Sequence, residues 1–185
     1  MNPKARTERG ELLLPIARAA IARRFGIHFE TDVDAQFLQE TAACFVTLMQ
    51  NRKLRGCIGS LEPRRSLLDD VRANAQAAAF QDPRFSPLPA NELFETKIEV
   101  SVLSPLIPME FSDENDALAA LRPGIDGVVL VCNGNRGTFL PQVWESLPQP
   151  RNFLTELKRK AGLPADFWSQ ELKLFRYEAE KWQEP

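Results

Sequence analysis

The 185-residue sequence contains one histidine, His28, and one tyrosine. A single imidazole excludes any multi-histidine metal site and leaves little for a Cys/His nucleophile pair. His28 lies just past an expected helix end, where a turn residue in partial contact with solvent is the ordinary role. Cysteine is scarce as well: Cys44, Cys57 and Cys132 make no CxxC pair, and their number is odd. With no apolar signal segment at the start, that usage argues against a disulfide framework and for a reducing, cytoplasmic setting. No apolar run reaches the length of a membrane span. Charge of one sign is missing too. The 23 basic and 25 acidic residues leave a formal net charge of −2, so no global electrostatic footprint for nucleic acid exists. The short basic clusters at Arg52-Lys53-Arg55, Arg64-Arg65 and Lys158-Arg159-Lys160 lack the interleaved aromatics of single-strand binders and read as solvated faces.

What is present is ordinary for a globular chain: 44% hydrophobic and 26% charged residues. The length suits one large domain over 1–185, with room for a division into a larger and a smaller lobe. Residues 1–6 are polar and expected to fray. Thr7 can cap a helix to about Phe25, which buries Leu12, Leu13, Ile16, Ala17, Ala20 and Ile21, stops at Gly26 and is bent or re-started by Pro15. Residues 27–42 read mostly as loop. Ala43–Met49 is a strand dense in β-formers, paired through a polar turn with Leu54–Gly59. Pro63 suits the first turn of a helix that carries Leu67, Leu68, Val71, Ala75, Ala78 and Ala79 to Phe80. Three prolines between Gln81 and Pro89 make a stiff connector, and Asn91 can cap one helical turn.

Thr96–Leu103 alternates cleanly, which predicts a half-buried strand with Ile98, Val100 and Val102 inward and Lys97, Glu99 and Ser101 opposite. Asp113 or Ser112 caps a helix with Ala117, Leu118 and Leu121. Gly127–Cys132 and Arg136–Leu140 form a hairpin about Asn133-Gly134-Asn135, a loop that lacks the lysine and following helix of a phosphate cradle. Pro141–Leu147 is a short helix bearing Trp144, and Arg151–Ala161 is amphipathic with Gly162 as its stop. Leu172–Ala179 closes the chain as one strand. Hairpins and helices mix without strict βαβ alternation, which means α+β with a mainly antiparallel sheet flanked by helices.

Function concentrates in Leu54-Arg55-Gly56-Cys57-Ile58-Gly59-Ser60-Leu61-Glu62-Pro63. Regular alternation puts Arg55, Cys57 and Gly59 on one face of the strand. A guanidinium two residues from a thiol favours thiolate, the condition for a nucleophilic or metal-binding sulfur. Gly56 and Gly59 are tolerated in a strand where a bulge forms or another group approaches the backbone. On this reading Cys57 is the reactive group, Glu62 or Asp82 supplies acid/base chemistry, and Arg55, Gly56, Gly59 and Arg84 contact substrate; no metal site is assigned. The alternatives stay open. A cysteine in an apolar strand is as readily a small buried hydrophobe, and Asp82 and Arg84 can simply pair with each other.

This stretch resembles the signature of the AMMECR domain family, whose bacterial and archaeal members are called AmmeMemoRadiSam system protein A. Supporting segments follow in order: Ala79-Phe80-Gln81-Asp82-Pro83-Arg84-Phe85, Ile98 to Pro105, Gly124-Ile125-Asp126-Gly127, Thr138 to Trp144, Phe153-Leu154 and Lys160-Ala161-Gly162-Leu163. The resemblance spans almost the whole chain. It implies an α+β protein with a larger lobe, a smaller lobe and a cleft between them near the signature strand. It also implies association with Memo-type and radical S-adenosylmethionine proteins. No settled reaction and no cofactor carries over with it. Two functions follow as expectations: an enzyme or substrate-handling subunit built on Cys57, or a non-catalytic module docking through the same surface.

Overall fold

Helix α1 (Pro3–Ala22) opens the chain in this computed structural model, which describes residues 3–185, with side chains from Glu8 onward. The backbone is already helical at Pro3, ahead of the expected Thr7 start; residues 1 and 2 and the Thr7 side chain lie outside the described residues. Pro15 sits inside a continuous helix. A 3-10 turn at Arg23–Phe25 leads into Gly26, whose φ of 75° is the left-handed stop expected there. His28 is exposed, with Nδ1 3.1 Å from the Gly26 carbonyl oxygen.

The chain divides into two compact units, Met1–Leu103 with Glu180–Pro185, and Ser104–Ala179. The first is built on an antiparallel sheet with strands β1 (Thr41–Gln50), β2 (Lys53–Gly59), β4 (Lys97–Leu103) and β9 (Ala179–Gln183) in the order β2-β1-β4-β9. A two-residue strand, β3 (Arg65–Ser66), pairs with the start of β1. Helix α2 (Leu67–Phe80) follows directly, its first turn closed by Ser66, whose hydroxyl accepts from the Asp69 amide. The helix therefore begins four residues after the expected Pro63, because β3 takes the intervening residues. Leu13, Ile16 and Ile21 of α1, Leu67, Val71 and Ala75 of α2, and Val46, Leu48, Ile98 and Val100 of the sheet share one core. Each large side chain sealed there stabilises the fold by about 1.5–3 kcal/mol.

Strand β4 departs from its pattern. Ser101 is as buried as its aliphatic neighbours and Glu99 nearly so, so this central strand is covered on both faces. Glu99 keeps its charge compensated through Lys181 of β9 at 3.0 Å.

The second unit is also antiparallel: β5 (Ile107–Pro108), β6 (Gly127–Cys132), β7 (Asn135–Phe139) and β8 (Lys173–Tyr177) in the order β5-β8-β6-β7, with α3 (Glu114–Ala120) and α4 (Pro150–Lys160). Asp113 caps α3, and the β6–β7 turn has positive φ at Asn133 and Gly134, as a tight hairpin needs. The basic run at the end of α4 is only partly a solvated face, because Arg159 and Lys160 are exposed and Lys158 is not. Lys158 is fully buried and donates to Glu114 at 2.7 Å, Arg159 pairs with Glu156, and Lys160 lies 5.0 Å over the Phe139 ring. The expected strand over Leu172–Ala179 is β8 (Lys173–Tyr177), and a further strand, β9, follows from Ala179 in the other sheet. Among the described residues no helix is long and apolar enough to cross a membrane.

Candidate functional site

Strand β2 is one edge of its sheet, and its register with β1 decides where the side chains of Leu54–Gly59 go. Phe45 pairs with Gly59, Thr47 with Cys57 and Leu48 with Gly56, but Met49 pairs with Leu54. Arg55 is the extra residue of a β-bulge. A bulge breaks the period of two, so the alternation that would have set Arg55 beside Cys57 does not hold. Arg55 instead donates through Nε to Glu92 at 2.9 Å and through Nη1 to the Ser86 carbonyl at 2.9 Å. Gln50 donates to the same Glu92 oxygen at 2.9 Å, and these two donors, Gln50 first, hold the Glu92 carboxyl below its usual range.

Arg84 is the cation that reaches the Cys57 segment. Asp82 is buried and accepts the Cys57 amide at 2.9 Å, the Arg84 amide at 3.1 Å, and Arg84 Nε and Nη2 at 2.9 and 2.7 Å. Arg84 Nη2 also donates to the Cys57 carbonyl at 3.1 Å. Carboxylate and guanidinium thus occupy the outward-facing amide and carbonyl of one edge residue, in the place of a neighbouring strand. Arg84, foremost, holds the Asp82 carboxyl far below the usual carboxylate range. A carboxylate held ionised by four donors has no proton to give and little tendency to take one, which removes Asp82 as the acid/base group. Glu62 pairs with Arg64 at 2.8 Å on an exposed turn. The Cys57 sulfur is half-buried, and its donor is the Thr47 hydroxyl at 3.4 Å.

The two glycines serve packing. A Cβ on Gly56 would run into the Ala78 carbonyl oxygen of α2, and one on Gly59 would enter the Phe45 ring. The space left by the missing side chains is filled by the protein's own atoms, so neither glycine opens a place for substrate.

A second polar constellation escaped the sequence reading. Asp70 of α2 is buried and accepts from the Cys44 amide (2.8 Å), the Ser60 hydroxyl (2.8 Å), Arg65 Nε (2.7 Å) and Asn74 Nδ2 (3.0 Å). Asn74 also donates to the Cys44 carbonyl at 3.0 Å. The end of the signature strand, the start of α2 and the middle of β1 are tied at one point. The signal was available: Asp70 and Asn74 fall within the buried stripe of α2, where a polar residue needs partners. Burial, then the Asp70 charge, pushes the Cys44 thiol well above its ordinary value, which makes that cysteine inert at neutral pH.

The Asp82 clamp has a pH signature. Its folded carboxyl titrates below the unfolded value of about 3.9, so its contribution is complete above that value and lost as pH falls towards the folded one. Between those two values the parent chain should lose stability faster on acidification than Asp82→Asn, as measured by urea midpoints against pH. Parallel curves for the two proteins would show that the clamp is not coupled to folding.

The AMMECR1 family pattern matches residues 14–182. The chain belongs to the AMMECR1 family. A protein of Methanothermobacter thermautotrophicus is 37% identical over 188 residues, covering 96% of this chain and 95% of its own. A Methanopyrus kandleri protein is 35% identical over 195 residues, covering 100% of this chain and 92% of its own. Among solved structures, the uncharacterised protein PH0010 of Pyrococcus horikoshii is similar at a TM-score of 0.85 and 33% identity, covering 96% of this chain and 92% of that one. The AMMECR1 match takes in β1, β2, α2 and the 81–89 loop, all the elements that build the clamp.

Proposed function

We propose that this AMMECR1 protein is a binding subunit that docks a partner protein through the exposed side of β2 and the 81–89 loop. One observation supports this above others: both carboxylates that could serve the thiol are engaged elsewhere, Asp82 in the clamp and Glu62 with Arg64. The loop is held at several points, by Asp82 and Arg84 on Cys57, by Arg55 on Ser86, and by the Leu88 amide on Ala79 at 2.8 Å. A surface fixed before binding loses little conformational freedom on association. It presents Leu54 (40% exposed) and Phe94 (69% exposed), drawn to one edge by the Arg55–Glu92 pair, together with the half-exposed Arg84. Apolar anchors beside an arginine are the usual composition of an interface centre. The family resemblance puts Memo-type and radical S-adenosylmethionine proteins first among partners to try, in a cytoplasmic setting.

The second reading, a substrate-handling thiol with Arg84 as anion contact, rests on the half-buried sulfur and its Thr47 donor. Pull-down of those partners separates the two. Leu54→Ser and Phe94→Ser should each weaken capture about tenfold or more while leaving the unfolding temperature unchanged, and Cys57→Ala should leave capture intact. Arg84→Ala joins the series with its stability measured alongside. If Cys57→Ser and Cys57→Ala abolish pathway output while Leu54→Ser and Phe94→Ser bind and function normally, the thiol reading replaces the docking one.

A further inference from the structure

A cavity of about 680 Å³ lies in the first unit between α1, the segment after it and the last strand. Its size falls in the range of small-molecule sites. Trp182 packs on the α1 backbone at Gly10, where an added Cβ would overlap the indole ring. Leu14, Pro15 and the exposed Phe29 give the remaining apolar wall.

The polar groups around this wall are Glu11, Arg18, Glu30, Gln183 and Glu184, and the uncommitted charges among them are of one sign. Arg18 is already used at each nitrogen: Nε on Glu184, Nη1 on the Leu93 carbonyl, and Nη2 on Glu184 and on the Thr96 carbonyl at 2.7 Å. Glu184 is neutralised by Arg18 and also accepts from the Ile98 amide at 2.8 Å. Glu11 and Glu30, in contrast, line the cavity with no hydrogen-bond or ion-pair partner among the described residues. Pro15 adds one more acceptor. It has no N–H, so it cannot bond the Glu11 carbonyl as the fourth residue on in a helix otherwise would. Arg23 and Arg72, two cations without an ion-pair partner among the described residues, line a separate cavity of about 60 Å³ that shares only Phe29 with this one.

We infer that this cavity binds a small organic cation, an ammonium group carried on an aromatic or branched apolar body. The body fills the Leu14–Pro15–Phe29–Trp182 wall and the ammonium lies towards Glu11 and Glu30. Rings at the wall suit a cation further, since an aromatic face attracts positive charge. An anion of the same shape would meet two carboxylates without a partner among the described residues, and the one guanidinium of the lining, Arg18, is already committed.

Three probes with one body test this on the full chain: phenethylammonium, 2-phenylethanol and 3-phenylpropionate. Affinities come from calorimetry, and the site from the Trp182 indole resonance in an amide-correlation spectrum. The ammonium should bind at least tenfold tighter than the alcohol, and the propionate weaker than the alcohol. The doubly substituted Glu11→Gln, Glu30→Gln chain should lose about tenfold for the ammonium and nothing for the alcohol, as two solvent-exposed carboxylates allow. Both positions are exposed, so an unchanged unfolding temperature keeps that comparison clean. The inference is overturned if the alcohol binds as tightly as the ammonium, if the double variant binds the ammonium undiminished, or if the Trp182 indole does not move. It is overturned equally if the chain dimerises over the same concentrations and dimer formation excludes all three probes.

Discussion

Replacing Gly56 with valine is expected to lower the unfolding temperature by about 10 °C, corresponding to a loss of about 3 kcal/mol. The cause is the contact between β2 and α2. A Cβ at this position overlaps the Ala78 carbonyl oxygen and comes within 3.1 Å of the Ala78 carbonyl carbon. Helix backbone, even in the last turn of α2, cannot step aside as a side chain can, so either α2 or the edge strand must move. Gly59→Ala is the matched comparison, because the nearest neighbours of its new methyl group belong to the partly exposed Phe45 ring and not to backbone. That variant should lose less than half as much. Calorimetric scans of both proteins decide the matter; equal transitions for Gly56→Val and the parent would show that β2 is free to lift from the helix.

A comparable loss, about 3–4 kcal/mol, is expected for Asp70→Ala. The substitution removes one acceptor and orphans several donors at once: the Cys44 amide, the Ser60 hydroxyl, Arg65 and Asn74. Arg65 is half-exposed and recovers water, so the cost falls mainly on the Cys44 amide and Asn74, which are buried. Asp69→Ala, one residue away on the exposed side of the same helix, should change stability by less than about 0.5 kcal/mol. Urea denaturation of the pair measures the difference directly. An Asp70→Ala midpoint within error of Asp69→Ala would mean the network contributes nothing to folding.

The mixed α+β class, the β1–β2 hairpin, α2 and the β6–β7 turn were all legible, because each rests on local chemistry: a period of two or of 3.6, or a turn with Asn-Gly at its centre. The AMMECR1 family was legible too, yet the geometry of Leu54–Pro63 was not. Gly56 admits a bulge or a close backbone approach, but nothing in Leu54-Arg55-Gly56 says that Arg55 is the extra residue, since that residue exists only relative to the partner strand. That single insertion sends Arg55 to Glu92 and leaves Arg84 as the guanidinium at Cys57. Glu99 and Ser101 misled for a related reason. Polar residues at alternate positions signal a wet face unless other parts of the chain cover it, and coverage is a tertiary property. The 81–89 loop was read as stiff and as a place where Asp82 and Arg84 meet. The local pairing holds, with Cys57 as the shared third partner.

The first unit is completed by Glu180–Pro185, residues that come after the whole of Ser104–Ala179 in the chain. During synthesis a ribosome therefore delivers α1 long before the indole of Trp182 that packs on Gly10 and the carboxylate that engages Arg18. Until then that helix face is uncovered, and a nascent chain halted at residue 179 would expose it to chaperones or proteases. A messenger truncated after codon 179 should accordingly yield a protein that is cleared by the cell, even though every residue of Leu54–Pro63 is present.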